Sequence, residues 1–432
     1  MASIRPFAGI RYARGADVSS LIAPPYDVLS EQGKAALQAR HPNNIVTVDL
    51  PHLPPKTVGP DETYGGANSV LQAWIRAGVL KQDRRPAFYP YAQNYQHGGL
   101  THHRRGFFAL VKLSPFGEGH VVPHEKTYAS AIEDRLKLTR ATGTLLSPIF
   151  GLFSDAKHEV TNLLYHNLGK PEQAGTLDGV QNDLWSVTDS DVENGVIDLM
   201  GHKPIYIADG HHRYTMALQY KKEAEAAAGG HLPPNHPANY CLFVLVGMQD
   251  PGLIILPTHR LIGGLQNFQI EAFKAAVAPN FQIEEMAVGP DRMDEAVNAL
   301  AHGTPHSFGL YDGKSRRLYS LKLTNLDVLK PLEANHSEAW RRLDVAILQR
   351  YLLDEVLQPK FAGGGEMTKG YTAYANEVAP QVDGSKYQIA LLLRPTPLHA
   401  LEELGKHNEV MPQKSTFFFP KLATGMVMYS VR

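Results

Sequence analysis

The chain has 432 residues, 43% of them hydrophobic, and a formal net charge of −1. It is longer than one ordinary domain, so two or three are expected, and its apolar content is ample for buried cores. The near-neutral balance excludes a general attraction to nucleic acid or to an anionic membrane.

In chain order, hydrophobic periodicity predicts strands over 45–49, 88–92, 107–113, 149–153, 185–187, 205–208, 241–246 and 253–256. Further strands are predicted over 308–311, 318–323, 389–393, 416–419 and 426–431. Helices are predicted over 31–40, 67–76, 131–141, 191–200, 211–227, 291–301, 338–354 and 397–406. Asp312-Gly313-Lys314 separates two strands as a hairpin signal. The expectation is therefore an α/β chain of the mixed α+β kind, with mixed sheets and flanking helices rather than a doubly wound sheet.

Gly229-Gly230 and Pro233-Pro234 end an alanine-rich helix. Gly263-Gly264 and Gly363-Gly364-Gly365 mark further breaks. The expected organisation is an N-terminal and central α/β region over 1–262 that carries the site, a smaller α/β region over 263–362, and a strand-rich block over 363–432 that packs back on the core. The lone cysteine, Cys241, sits in the apolar run Cys241-Leu242-Phe243-Val244-Leu245-Val246 and reads as a buried strand thiol. Met1-Ala2-Ser3-Ile4-Arg5-Pro6-Phe7 lacks the apolar core of a signal peptide, and no apolar run approaches the roughly 20 residues of a bilayer span. A soluble, cytoplasmic protein is expected.

The most informative segment is Ile205-Tyr206-Ile207-Ala208-Asp209-Gly210-His211-His212-Arg213-Tyr214. A short strand, an Asp-Gly turn and a helix follow one another. The helix opens with two histidines and an arginine, where the positive end of the helix favours acids. A bound phosphate or carboxylate would reverse the sign of that cost. Gly210 would let the backbone approach a phosphate, and Arg213 offers a fork of donors to its oxygens. His211 or His212 could supply a donor, a proton or a metal ligand, and Asp209 could hold Mg²⁺ or act as a base. The plain alternative is a solvated Asx-type turn.

Other segments repeat the theme. His124-Glu125-Lys126-Thr127, followed by Glu133-Asp134-Arg135, lacks the second histidine of a zinc-protease motif, since Tyr128 stands there. Glu125 beside cations suits a general base or a metal ligand, or else a solvated loop. Pro257-Thr258-His259-Arg260 is a second strand followed by His and Arg, and reads as either a pocket lining or a strand-end turn. Ala23-Pro24-Pro25-Tyr26-Asp27-Val28 reads as a rigid Pro-led turn that presents Tyr26 and Asp27, with turn structure alone as its explanation. Met411-Pro412-Gln413-Lys414-Ser415-Thr416-Phe417-Phe418-Phe419-Pro420-Lys421 is a charged turn leading into an aromatic strand, and its lysines either reach an anion or lie in a surface turn. Neither a P-loop nor a dinucleotide fingerprint is present. His124, His211, His212 and His259 could form a metal site, although their spacing does not ask for one.

Taken together, these blocks resemble the DUF1015 family of prokaryotic proteins, and they run nearly end to end: Ile4-Arg5-Pro6-Phe7, Ala23 to Val28, His41-Pro42-Asn43-Asn44, His124 to Thr127 with Asp134-Arg135, Ser147-Pro148-Ile149-Phe150, Ala208 to Tyr214, Leu256 to Arg260 and Met411 to Thr416. That resemblance brings no settled activity. Locally, Asp209-Gly210-His211-His212-Arg213-Tyr214 is similar to the phosphate-binding corner of the ParB/sulfiredoxin superfamily, which includes DNA-partition CTPases, sulfiredoxin and a kinase acting on free serine. His212 stands where sulfiredoxin has cysteine, which disfavours sulfinic-acid repair. With no helix-turn-helix and no basic excess, DNA binding is disfavoured too.

The resulting expectation is a phosphotransferase dependent on Mg²⁺ and a nucleotide (ATP or ADP), acting on a small hydroxylated metabolite as a serine kinase does. Glu125 is the expected base, and Asp209 the metal carboxylate or alternative base. His211 and His212 would steady the transferring group. Gly210, Arg213, Lys126, Arg135, His259 and Arg260 would hold phosphate. The alternatives are a phosphomonoester hydrolase, such as a phosphoserine phosphatase, and a non-catalytic nucleotide or metabolite sensor.

Overall fold

Long β-branched and aromatic runs set the framework of this mixed α+β protein. A computed structural model describes residues 3–13, 15–384 and 386–432. Met1 and Ala2 of the N-terminal stretch lie outside the described residues. The chain divides into two units. Unit one holds the chain up to Pro123, Thr127–Ile254 and Pro420–Arg432, and unit two holds His124–Lys126 and Ile255–Phe419. Among the described residues no helix is long and apolar enough to cross a membrane.

Unit one is built on a nine-stranded mixed sheet. Its strands are β1 (Ile4–Arg5), β2 (Tyr89–His97), β3 (Leu100–Lys112), β4 (Val121–Val122), β5 (Ile149–Phe153), β6 (Gln173–Leu177), β7 (Val180–Leu184), β8 (Ile205–Asp209) and β9 (Tyr240–Gly247). The order is β4-β8-β5-β9-β3-β2-β7-β6, with β1 pairing β3. β9 is the uncharged run around Cys241. It lies parallel to β5 and antiparallel to β3 and is buried along its length, as a central strand covered on both faces must be. The Cys241 thiol is buried, and burial pushes its pKa up to about 12, so it is an inert core group. β8 lies antiparallel to β5 and parallel to β4.

The helices that matter here are α1 (Glu31–Arg40), α2 (Asp61–Arg76), α3 (Ala129–Thr142) and α4 (His211–Ala227). Ser30 caps α1 by accepting from the Gly33 N–H at 3.1 Å. α3 packs against both α2 and α4. The segment Pro420–Arg432 returns to this unit, where Thr424 bridges Ala23, Met428 bridges Ile10 and Tyr429 pairs with Leu145.

Unit two is built on a six-stranded sheet, antiparallel throughout. Its strands are β10 (His259–Gly263), β11 (Phe281–Glu285), β12 (Ser307–Asp312), β13 (Arg317–Leu323), β14 (Thr368–Thr372) and β15 (Ile389–Leu392), in the order β11-β13-β12-β15-β10-β14. The expected hairpin joins β12 to β13, where the Asp312 carboxylate accepts from the Lys314 and Ser315 N–H groups. Leu261, Tyr311, Leu318 and Ala390 of the sheet form one core with Met293, Ala296, Leu300 and Val378.

Four predicted elements differ, one of them the strand expected at 426–431, which is reduced to Tyr429–Ser430 with a bridge at Met428. Residues 45–49, a β-branched run, form the helical turn Val46–Asp49. The Asn44 side chain holds it, accepting from the Val46 N–H and donating to the Ser20 and Ile22 carbonyls, so tertiary contacts override strand propensity. The strand expected at 185–187 ends earlier, at Leu184, and only a bridge between Val187 and Phe88 continues it. The single helix expected over 338–354 is broken into Glu338–Arg341, Asp344–Ala346 and a π-helical stretch Ile347–Leu357, followed by Gln358–Phe361. Extended backbone at Leu343 makes the first break. Pro359, which has no N–H to donate, sits in the turn that closes the π register.

Candidate functional site

The apolar strand β8 ends at Asp209, Gly210 turns the chain, and α4 begins at His211, as the sequence implies. Gly210 has φ +100°, a conformation that side chains with a Cβ avoid. A Cβ there would also meet the Arg213 guanidinium at 3.0 Å. Arg213 is buried and donates through Nη1 to the Pro148 carbonyl. Its Nη2 lies 3.6 Å from Asp209 Oδ2, and Lys421 Nζ lies 3.3 Å from the same oxygen. Part of the compensation that the sequence argument assigns to a bound anion is thus internal: Asp209 and a carbonyl oxygen offset Arg213 at the positive helix end.

Asp27, on the short turn Tyr26–Val28, joins this group. Its Oδ2 lies 3.2 Å from Lys56 Nζ. Burial and the charge on Asp209 push the Asp27 carboxyl up, but Lys56, Arg213 and Lys421 outweigh them and hold it below the ordinary carboxylate range. Two carboxylates, Asp27 and Asp209, therefore interact with three cations, Lys56, Arg213 and Lys421.

Arg135 sits behind this cluster in a closed network. It is buried, pairs with Asp134 at 2.7 Å and Asp49 at 3.5 Å, and stacks 4.0 Å over the Tyr26 ring. Tyr64 donates to the other Asp134 oxygen at 2.8 Å. Arg135 and Arg213 both line a cavity of about 20 Å³ with Asp49, Thr139 and Ser147, room for about one water molecule. Arg135 supports the corner by holding buried acids and the ring of Tyr26.

The two histidines have different settings. His211 is buried. His212 is partly exposed, accepts through Nε2 from the Tyr128 N–H at 3.0 Å, and stacks on the Tyr128 ring. With Nε2 accepting, the neutral ring carries its proton on Nδ1.

In unit two, His124 Nε2 lies 2.9 Å from Thr416 Oγ1, and its carbonyl accepts from the Met411 N–H at 2.8 Å. Glu125 accepts from the Lys414 N–H, and Lys126 is exposed. His259 is buried in β10. Its Nδ1 accepts from the Leu393 N–H at 3.2 Å, and burial with the adjacent Arg260 pushes its pKa down to about 3. Arg260 is also buried. It donates to the Thr258 and Gln413 carbonyls and lies 5.0 Å over the Tyr371 ring. Burial pulls its pKa down to about 10, against the opposing influence of Tyr371 and Glu125.

The sequence candidates thus fall into two sets. Asp209, Gly210, His211, His212, Arg213 and Arg135 belong to unit one, and Glu125, Lys126, His259 and Arg260 to unit two. Among the described residues no three His, Cys, Asp or Glu side chains are grouped as a metal site.

The DUF1015 family, described as a protein of unknown function, matches residues 4–346. The chain belongs to this family. No curated protein matches it in sequence. Among solved structures, this DUF1015 chain is distantly similar to a free serine kinase variant in complex with AMP (12% identity, 75% of this chain and 91% of that one, TM-score 0.38). It is also similar to a conserved hypothetical protein from Pyrococcus furiosus (14%, 74% and 94%, TM-score 0.34) and to SbnI with C-terminal truncation from Staphylococcus aureus (11%, 74% and 86%, TM-score 0.36).

Of the DUF1015 chain's charged corner, sequence reasoning missed Lys56, and it noted Asp27 and Lys421 in their turns without giving them a role at the site. For Asp27 a signal existed, since a Pro-Pro-led turn fixes the backbone that presents it. Lys421 stands in the charged 411–421 segment, whereas Lys56 carries no local signal, because only the fold brings it to Asp27.

Proposed function

We propose that the Asp27–Asp209–Arg213–Lys421 corner of unit one is the phosphoryl site of a nucleotide-dependent phosphotransferase acting on a small hydroxylated metabolite. The observation that carries this reading is the meeting of two carboxylates and three cations at a strand–glycine–helix turn. Phosphoryl transfer asks for such a set: fixed cations for the equatorial oxygens, a carboxylate for a metal, and a carboxylate for the attacking hydroxyl.

Arg213 is the natural phosphate donor, because its guanidinium is already fixed by Pro148 and Asp209. Lys421 and Lys56 add positive charge that swings toward phosphate when it arrives. Gly210 leaves no side chain between the backbone and the bound group. Mg²⁺ is held by one or two carboxylates and otherwise by water and phosphate, so Asp209, with Asp27 near it, fits the ion. When bound, it would neutralise charge on the phosphates.

Asp27 stays ionised at neutral pH and accepts the proton of the attacking hydroxyl. The sequence reading gives that role to Glu125. Asp27 is preferred because it shares a unit with Asp209 and Arg213, whereas Glu125 belongs to unit two and accepts from the Lys414 N–H.

Incubation with Mg²⁺, ATP or ADP and a panel of hydroxy-amino acids, read by phosphorus NMR, tests the reading. A phosphorylated product that disappears in Arg213→Ala supports it. Phosphate released from phosphoserine without any nucleotide would make the corner a hydrolase. Nucleotide binding without turnover on any substrate, with Asp27 dispensable, would make it a sensor.

A further inference from the structure

A second charged cavity lies in unit one. It measures about 710 Å³, within the usual range of ligand pockets. Its lining is charged and hydroxyl-bearing: Arg11, Lys81, Arg84, Arg85, Ser186 and Thr188 contribute. Asp83 and Glu172 also line it, but both carboxylates are committed to Arg11, with Nε 2.8 Å from Asp83 and Nη2 2.8 Å from Glu172. Ser186 donates to the other Glu172 oxygen at 2.6 Å.

Two independent features point to an anion. Arg11 is 1% exposed, and its Nη1 is a buried donor that no described group accepts from. Such a donor is costly to leave unmet. Meanwhile Lys81, Arg84 and Arg85 stand exposed at the rim, and among the described residues none forms an ion pair. Four cations thus face two carboxylates that one of them already occupies. An apolar guest would find no partner here, whereas a multiply charged one would find several donors.

The cavity is separate from the Asp209 corner. Glu172 and Ser186 flank β6 and β7, at the opposite end of the sheet order from β8. β8 and β7 stand five strand positions apart, about 24 Å at the usual inter-strand spacing. The two sites share no lining or charge-paired residue.

We propose that this cavity binds a small polyanion, carrying phosphoryl or clustered carboxylate groups, with Arg11 at its floor and Lys81, Arg84 and Arg85 at its rim. The proposal stands whether or not the Asp209 corner transfers phosphate. Inorganic pyrophosphate and citrate are the probes, titrated by calorimetry into the full chain at low ionic strength. Arg84→Glu with Arg85→Glu, both exposed positions, should weaken the binding of at least one probe by about tenfold or more, which is the loss of roughly 1.4 kcal/mol. Arg40→Glu, an exposed cation outside the cavity, should not, and Arg213→Ala should keep the component that the rim reversal removes.

Whichever probe responds identifies the preferred group. Arg11→Gln is a secondary variant, since it strands two acids and endangers folding. The proposal is overturned if the rim reversal leaves both affinities unchanged, if Arg40→Glu weakens them equally, or if the full chain binds neither probe.

Discussion

Lys421 Nζ lies 3.3 Å from Asp209 Oδ2, although the two residues are 212 positions apart in the chain. Asp209 therefore serves two cations, with Arg213 on its own helix turn and Lys421 arriving from the returning C-terminal segment. An acid held this way keeps a pair of cations close together.

Lys421→Ala should lower the affinity for ADP or ATP by about tenfold, or ~1.4 kcal/mol, if the lysine faces the phosphates in the bound state. The side chain is partly exposed, so the fold should survive. Calorimetric titration checks this, and an unchanged affinity would take Lys421 out of the phosphoryl site.

Asp27→Asn should cut turnover by about 10²–10⁴-fold, the usual worth of a general base, while nucleotide affinity stays within a few-fold. The cations around Asp27 lower its pKa. The proton is therefore lost below the ordinary value of about 3.9, and activity that depends on the ionised form should fail only as pH drops beneath that value. A kcat/KM profile with an acid limb near pH 6–7 that vanishes in Asp27→Asn would contradict the assigned charge state.

Gly210→Ala should destabilise unit one by about 1–3 kcal/mol, because φ +100° is strained for any residue with a Cβ. The added methyl also meets the Arg213 guanidinium, so phosphate affinity should fall along with stability. Urea unfolding and nucleotide titration on the same sample read both effects. Loss of stability with full affinity would mean that Gly210 serves the turn alone.

His259 provides a pH test of unit two. The unfolded side chain takes a proton near pH 6.5, whereas the folded one stays neutral down to about 3. The unfolded state binds more protons in that window, so stability falls as the solution is acidified below about pH 6.5, by at most about 1.4 kcal/mol per pH unit. In His259→Phe this contribution disappears. Melting temperatures between about pH 6.5 and 4.5 should decline less steeply than in the unaltered protein, whatever the variant's overall stability. Parallel slopes would mean that His259 is protonated in the folded state.

The sequence makes the 205–227 corner legible because every signal there is local: an apolar strand, an Asp-Gly turn and an alanine-rich helix. The bounds of α4 agree to the residue. The β12–β13 hairpin and the uncharged β9 are legible for the same reason. Residues 45–49 are not, since Asn44 imposes a helical turn through bonds to distant carbonyls. The cations that serve Asp27 and Asp209 are also hidden, because Lys56 and Lys421 are remote from them in sequence. Arg135 is expected from the sequence to hold phosphate, and its pairing with the distant Asp49 beside its neighbour Asp134 is visible only in the fold.

The return of Pro420–Arg432 to unit one has a consequence for biosynthesis. A ribosome must translate all of Ile255–Phe419 before the segment carrying Lys421 emerges, a delay on the order of ten seconds at ordinary elongation rates. During that interval the edge partners of Ile10 and Ala23 are missing and the Asp209 carboxylate lacks one of its cations. The nascent first unit must therefore wait with its charged corner unfinished, and Asp209 gains its second cation only when the chain closes on itself.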